Sequence, residues 1–267
     1  MSVVILQDEI VHYEVLGRGR GKPLIFLHGW VGSWRYWIPT MQAASISFRT
    51  YAIDLWGFGE SAKIPEYYDL DQQVNLLDQF LDKLGIGRIA LIGHGLGAIV
   101  AMMFAERTRS SNLVDRVMAI CMPNGQHAIN PRLFTAPPEE LADWLLSRNS
   151  DSDSARNEAP KADQRAVQYS LANLQSIDIS STSQNLNIPC LLVYGQNDQA
   201  VEEAAVQDPM DTLPKHIHQI IFEQSGHFPM LDEPSKFNRL LVDFLSLSSG
   251  ISPRQLQLKE EWKRRVR

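Results

Sequence analysis

Cysteine is nearly absent: the 267 residues hold two, Cys121 and Cys190. Both fall in apolar strand-like runs, "AICMP" and "PCLLVYG", which suits reduced, buried thiols rather than a disulfide framework. No uninterrupted apolar run reaches the roughly 18 residues needed to cross a bilayer. The opening "MSVVILQDEIVHYEVLG" lacks the basic region and long apolar stretch of a secretory signal, so the cytoplasm is the default expectation. Positive charge is in deficit, with 25 Lys and Arg against 31 Asp and Glu, a formal net charge of −6. That balance argues against nucleic acid as the main partner. Histidines and carboxylates show no paired ligand spacing, so no metal is expected. The run Gly93-His94-Gly95-Leu96-Gly97 lacks the lysine and the spacing of a phosphate-binding loop, and no cofactor is indicated.

What is present is ordinary globular composition, 44% hydrophobic and 21% charged. It suits one large domain with a subdomain. A chain of this length buries roughly 70–75% of its unfolded surface and needs no staple. Val3 to Ile5 and Val11 to Leu16 flank Asp8-Glu9 and read as an antiparallel hairpin. "KPLIFLHGW" and "RTYAIDLWGFG" read as strands, with a short helix between them from Ser33, its capping residue, to Met41. Apolar residues at Leu70, Val74, Leu77, Phe80, Leu81 and Leu84 form a helical stripe. The strand Arg88 to Ile92, a helix from Gly95 and the strand "LVDRVMAICMP" follow. Strands alternating with helices imply a mostly parallel sheet covered on both faces, an α/β fold.

The alternation breaks after Pro123. Helical patterns in "PEELADWLLSR" and "ADQRAVQYSLANLQ", joined by the polar "NSDSDSARNEAPKAD", predict a helical cap over residues 124–185 with a flexible middle. The core would comprise 1–123 and 186–248, resuming at "PCLLVYG" and "HQIIFEQ" and closing with the helix "PSKFNRLLVDFLSL". Residues 249–267 differ in composition. From Ser252 onward six basic residues and two glutamates give +4, against −10 for the remainder. Ser252-Pro253-Arg254-Gln255 has capping-box spacing with proline first, which predicts a helix there. Leu258, Trp262 and Val266 would form its narrow apolar stripe. Such a tail packs on its own domain or is solvated, or it meets an anionic surface or serves self- or partner association.

Four groups of residues lie at strand ends on one edge of the inferred sheet: His28-Gly29-Trp30, Gly93 to Gly97, Gly195-Gln196-Asn197-Asp198, and Ser225-Gly226-His227-Phe228-Pro229. In open α/β sheets the working cleft forms at the carboxyl ends of the strands. The run Gly93 to Gly97 has the form G-x-S-x-G except at its centre. There a serine would stand on a sharp strand-to-helix turn; Gly95 stands instead.

With Asp54-Leu55-Trp56-Gly57-Phe58-Gly59-Glu60-Ser61 matching D-x-x-G-x-G-x-S, and with the order elbow, acid, histidine, the sequence resembles the α/β-hydrolase fold family, specifically its smaller capped members. The resemblance runs to about Leu247. It implies that Asp198 is the acid, His227 the base, and the backbone N–H groups of Trp30 and Leu96 the oxyanion hole. It leaves the nucleophile position, Gly95, vacant. His28, His94, Asn124 and Phe228 are pocket candidates. His94 and Cys121 have alternative readings as a substitute catalyst and a thiol nucleophile, beside the blander ones of a family-typical neighbour and a core cysteine. Ser33 has a minor alternative as a relocated nucleophile.

An acyl-enzyme is unavailable without the serine. The resemblance then points to a small carbonyl or ester-like molecule handled by a His-Asp dyad and an oxyanion hole. The alternatives are a catalytically inactive pseudoenzyme that binds a small apolar ligand, and a protein acting through a protein partner.

Overall fold

The computed structural model describes residues 2–18, 21–201, 213–248 and 251–258. Its centre is an eight-stranded sheet in the order β1-β2-β4-β3-β5-β6-β7-β8. The hairpin comes first: β1 (Ser2–Leu6) pairs with β2 (Glu9–Leu16) in antiparallel register, Leu6 opposite Glu9. Its two turn residues, Gln7 and Asp8, both take positive φ (51° and 64°), the type I′ geometry whose twist matches that of the strands. β2 runs antiparallel to β4 (Phe48–Ile53). From β4 through β3 (Lys22–Leu27), β5 (Ile89–His94), β6 (Val114–Ile120), β7 (Cys190–Gly195) and β8 (Ile217–Phe222) every pairing is parallel.

Parallel strands covered on both faces must be apolar throughout. β5 and β7 are buried at every position, which is why "IALIGH" and "CLLVYG" show no alternation. The covering helices include α1 (Ile38–Ala44), α2 (Leu70–Leu84) and α3 (Leu96–Arg107). A single 3-10 turn, Trp34–Trp37, precedes α1, and Ser33 caps it by accepting the Arg35 N–H. α2 begins at Asp69, whose carboxylate accepts the Gln72 N–H, and ends at the left-handed Gly85.

Chain order reverses in the sheet between β3, which leads to β4 on one side, and β5, which leads to β6 on the other. The loops leaving these two adjacent strands diverge, and a crevice opens between them. Gly29 and Gly95 lie on its two sides.

Between β6 and β7 the chain runs through five helices: α4 (Arg132–Thr135), α5 (Pro138–Leu145), α6 (Asp153–Glu158), α7 (Gln164–Asn173) and α8 (Ile179–Asn185). The expected flexible joiner is folded. "NSDSDSARNEAPKAD" contains a 3-10 turn at Ser150–Ser152 and then α6, and it buries Ser152, Ala155, Glu158 and Ala159. The small residues Ala155 and Ala159 lie four apart, enough apolar surface to seat one short helix in an otherwise polar run.

After β8 come α9 (Pro229–Asp232) and α10 (Pro234–Leu245). The helix predicted from Ser252 is also corrected. Ser252 does cap, accepting from Arg254 N–H, but among the described residues of this segment only one 3-10 turn forms, at Pro253–Gln255, and Leu256 is extended. Tertiary contacts override the local signal. The Ser252 hydroxyl donates to Lys215 O (2.7 Å), while Leu256 is buried and its carbonyl accepts from His218 Nε2 (3.1 Å). Trp262 and Val266, the rest of the expected stripe, lie outside the described residues. Among the described residues no helix is long and apolar enough to cross a membrane.

Candidate active site

The elbow is built by close backbone approach. A Cβ on Gly93 would sit 2.2 Å from Gly97 O, and one on Gly97 would sit 2.4 Å from Leu27 O. Neither position admits a side chain, so two of the three glycines are fixed by packing of α3 against β3 and β5. Gly95 differs. Its φ of 51° and ψ of −112° are strained for any other residue, yet the tightest contacts a Cβ there would meet are with the Trp30 ring at 3.2 Å, followed by Gly29 Cα at an ordinary 3.5 Å. A side chain there needs a shift of a few tenths of an ångström in the buried Trp30 ring. Position 95 therefore has the backbone of a nucleophile mount and nearly the room for a side chain.

Asp198 and His227 follow adjacent parallel strands. Gly195 at the end of β7 pairs with Phe222 at the end of β8. The two loops stay locked beyond the sheet, Gln196 N–H donating to Phe222 O (2.9 Å) and Asn197 N–H to Ser225 O (3.0 Å). His227 Nδ1 then lies 2.9 Å from Asp198 Oδ2, with both side chains nearly excluded from solvent. The other carboxylate oxygen accepts the N–H groups of Ala200 (2.8 Å) and Val201 (3.2 Å). Asp198 is thus oriented from behind and can hold the imidazole in the Nδ1–H tautomer, which leaves Nε2 as a proton acceptor.

Behind this pair lies a second histidine. His94, the last residue of β5, is fully buried 4.6 Å from the His227 ring and 4.7 Å from that of Phe228, centroid to centroid. Its Nε2 meets the His227 carbonyl (2.8 Å) and its Nδ1 the Tyr36 hydroxyl (2.9 Å). Burial, reinforced by the neighbouring His227, holds its pKa well below the usual histidine value, so it stays neutral. His28 is pushed down to about 4 by burial. Its Nδ1 donates to Gly29 O (2.8 Å) and its Nε2 accepts from Leu55 N–H (3.0 Å), so the ring ties the loops after β3 and β4 together. Asn124 follows β6 on the same edge of the sheet and is partly buried.

Cys121 directly follows β6 with a positive φ of 47° and is fully buried. Burial, with the Asp198 carboxylate beside it, raises its thiol pKa, so the sulfur is protonated and a poor nucleophile. One potential ligand atom each from His94, Cys121 and His227 come within 4.8 Å of one another, a grouping that sequence spacing could not show because three strands supply it. The hydrogen bonds at His94 disfavour metal binding: a carbonyl only accepts, so Nε2 must carry the proton, and Nδ1 is taken by Tyr36.

The helical insertion sits on the loops after β3 and β4. Trp30 Nε1–H donates to the Ser170 hydroxyl of α7 (3.0 Å), and Asp163 N–H donates to Gly57 O (2.8 Å). Glu158 of α6 receives the Ser33 hydroxyl (3.1 Å) on one carboxylate oxygen and pairs with Arg35 (3.1 Å) through the other. Beside the acid loop, Trp144 Nε1–H reaches Gln199 (2.6 Å) and Ser147 reaches Asp232 (2.6 Å). Ser33 is therefore engaged twice, as a cap and as a strut to Glu158. Tyr36 and Glu158 are the site's neighbours that sequence reasoning missed.

Residues 24–240 match the model of a family described as the alpha/beta hydrolase family. A pimeloyl-acyl-carrier-protein methyl ester esterase of Vibrio cholerae is 26% identical over 250 residues, 85% of this chain and 95% of that protein. Among solved structures, an enol-lactonase from Burkholderia xenovorans superposes with a TM-score of 0.78 at 19% identity, covering 92% of this chain and all of that one. A serine-to-glycine variant of an N-acyl homoserine lactonase, complexed with N-hexanoyl homoserine lactone, superposes with a TM-score of 0.78 at 18% identity, over 91% of this chain and 96% of that one.

Proposed function

This chain belongs to the alpha/beta hydrolase family, and on that footing we propose that it hydrolyses a small ester or lactone with water, not a serine, as the nucleophile. The observation that carries the reading is the complete His227–Asp198 pair, 2.9 Å apart and buried, beside a mount with no hydroxyl. A dyad that served only to hold a ligand would have no use for an imidazole oriented this closely.

The chemistry follows from the groups available. His227 Nε2 takes a proton from a water lying above Gly95, and the water oxygen bonds to the substrate carbonyl carbon. The carbonyl π electrons move to oxygen, where the N–H groups of Trp30 and Leu96 receive the negative charge. Asp198 steadies the imidazolium formed. As the carbonyl reforms, the bond to the leaving alkoxide breaks, and His227 returns its proton to that oxygen. Acid and alcohol are released and the imidazole is neutral again. No covalent enzyme intermediate occurs.

A second reading is favoured by one specific finding, the lactonase variant with glycine in place of a serine and its lactone in complex. By analogy this chain would be a binding protein that retains a small acyl compound uncleaved. Screening the purified protein against short acyl esters and lactones separates the two. The hydrolytic reading expects slow turnover that disappears in His227→Ala. Saturable binding of the same compounds with no turnover, unchanged by His227→Ala, would replace it with the binding reading.

A further inference from the structure

Tyr36 and His94 are joined in one continuous run of buried hydrogen bonds. Gly29 N–H meets the Tyr36 hydroxyl at 2.7 Å, that hydroxyl meets His94 Nδ1 at 2.9 Å, and His94 Nε2 meets the His227 carbonyl at 2.8 Å. The direction of every bond is fixed from both ends. An N–H group only donates, so Tyr36 accepts from Gly29 and spends its one proton on His94 Nδ1. A carbonyl only accepts, so His94 carries its proton on Nε2. A neutral ring then needs a donor at Nδ1, which is what Tyr36 provides. The two ends demand the same tautomer, and both side chains are fully buried.

We propose that Tyr36 and His94 are positioning residues that set the base, His227, relative to the oxyanion loop through this single path of hydrogen bonds. Gly29 precedes Trp30, whose N–H is the oxyanion donor in the function proposed above, and the inference rests on that reading for its catalytic consequence. At the far end the His227 carbonyl is pinned, while Asp198 holds the ring and Asp232 holds the preceding Gly226 N–H at 2.9 Å. Phe228 packs edge-on to Tyr36 (5.6 Å) and closes the assembly against water. Burial pushes the Tyr36 hydroxyl upward and the His94 imidazole downward in pKa, so neither bond direction changes across the working pH range.

The test pairs a spectroscopic readout with a kinetic one. The His227 Nδ1–H proton, assigned by its loss in His227→Ala, gives a downfield NMR signal while it is held by Asp198. Tyr36→Phe removes the hydroxyl. His94→Asn keeps an amide near Nδ1 but cannot reach the His227 carbonyl, whereas His94→Gln places a donor where Nε2 stood. The expected result is that the signal broadens or moves upfield in Tyr36→Phe and His94→Asn and is restored in His94→Gln, all three remaining folded by circular dichroism. In a Gly95→Ser background, 4-nitrophenyl acetate turnover should fall on the order of tenfold in kcat in the first two variants with little change in KM, the scale of one buried hydrogen bond. An unchanged signal in folded Tyr36→Phe and His94→Asn overturns the inference. Equal loss in His94→Gln and His94→Asn reduces His94 to a packing residue and overturns it as well. Absence of esterase activity in every background would count against the proposed function, while the NMR comparison still decides the positioning role.

Discussion

At the scale of single residues, Gly95 and Asp54 each lead to a measurable consequence. Gly95 takes φ 51° and ψ −112° without penalty, whereas any side chain there carries strain of about 1–3 kcal/mol. Gly95→Ala adds a methyl that meets the Trp30 ring at 3.2 Å and supplies no hydroxyl. It should lower unfolding free energy by about 1–3 kcal/mol in urea titration and leave esterase activity no higher. A variant as stable as the parent would mean that the elbow is not strained. Asp54 is buried, accepts the Trp34 and Glu60 N–H groups, and has His12 Nδ1 at 3.8 Å and His28 Nε2 at 4.0 Å. Burial pushes its carboxyl from 3.8 up to about 7, the two backbone bonds offsetting part of that. Because the folded state holds this proton more tightly than the unfolded chain, the contribution is fully present below pH 4 and lost as pH rises through about 7. The linked loss is about 4 kcal/mol. His28, held down at about 4, works oppositely: its contribution is present above 6.5 and lost as pH falls toward 4. The parent curve is thereby flattened, and the informative quantity is the gap between parent and Asp54→Asn. That gap should move in favour of Asp54→Asn as pH rises from 4 to 8 in chemical denaturation. A pH-independent gap would mean that Asp54 is ionised throughout.

Elements and their junctions explain how much the sequence disclosed. The strands and α2 were legible because each is long enough for its apolar period to stand out, and because the central parallel strands are largely apolar. That Gly95, Asp198 and His227 would gather at one edge of the sheet was legible because short motifs at strand ends mark them. Tyr36 was not, since nothing in "SWRYW" says which aromatic ring will reach under the elbow; only the 3-10 turn aims it there. The segment after Ser147 misled for the opposite reason. Its composition is that of a loop, yet two alanines and a buried glutamate anchor it. Glu158 binds Ser33 and Arg35 of the core and also Lys161 (2.9 Å), with its side chain 8% exposed. Glu158→Ala should cost about 1.5–3 kcal/mol, the range for hydrogen bonds to a charged group, and free α6 from the loop after β3. Limited trypsin digestion is the measure. Cleavage at Arg148 or Arg156 should be slow in the parent and early in Glu158→Ala. Rapid cutting there in the parent would restore the expectation of a flexible joiner.

On the scale of the whole molecule, the topology brings four loops to one edge of the sheet, and each delivers one part of the site proposed above. In that proposal the loop after β3 supplies Trp30, the turn after β5 the elbow, the loop after β7 the acid Asp198 and the loop after β8 the base His227. On that reading only the part that depends on one side chain is absent. If the machinery is otherwise assembled, a single hydroxyl completes it. The direct measurement is the pre-steady-state release of 4-nitrophenol from 4-nitrophenyl acetate by Gly95→Ser, with intact-mass analysis of the protein. The predicted result is a burst of about one equivalent and an acetyl adduct on the substituted residue, where the parent shows neither. A folded Gly95→Ser protein with no burst and no adduct would contradict a preorganised hydrolytic site.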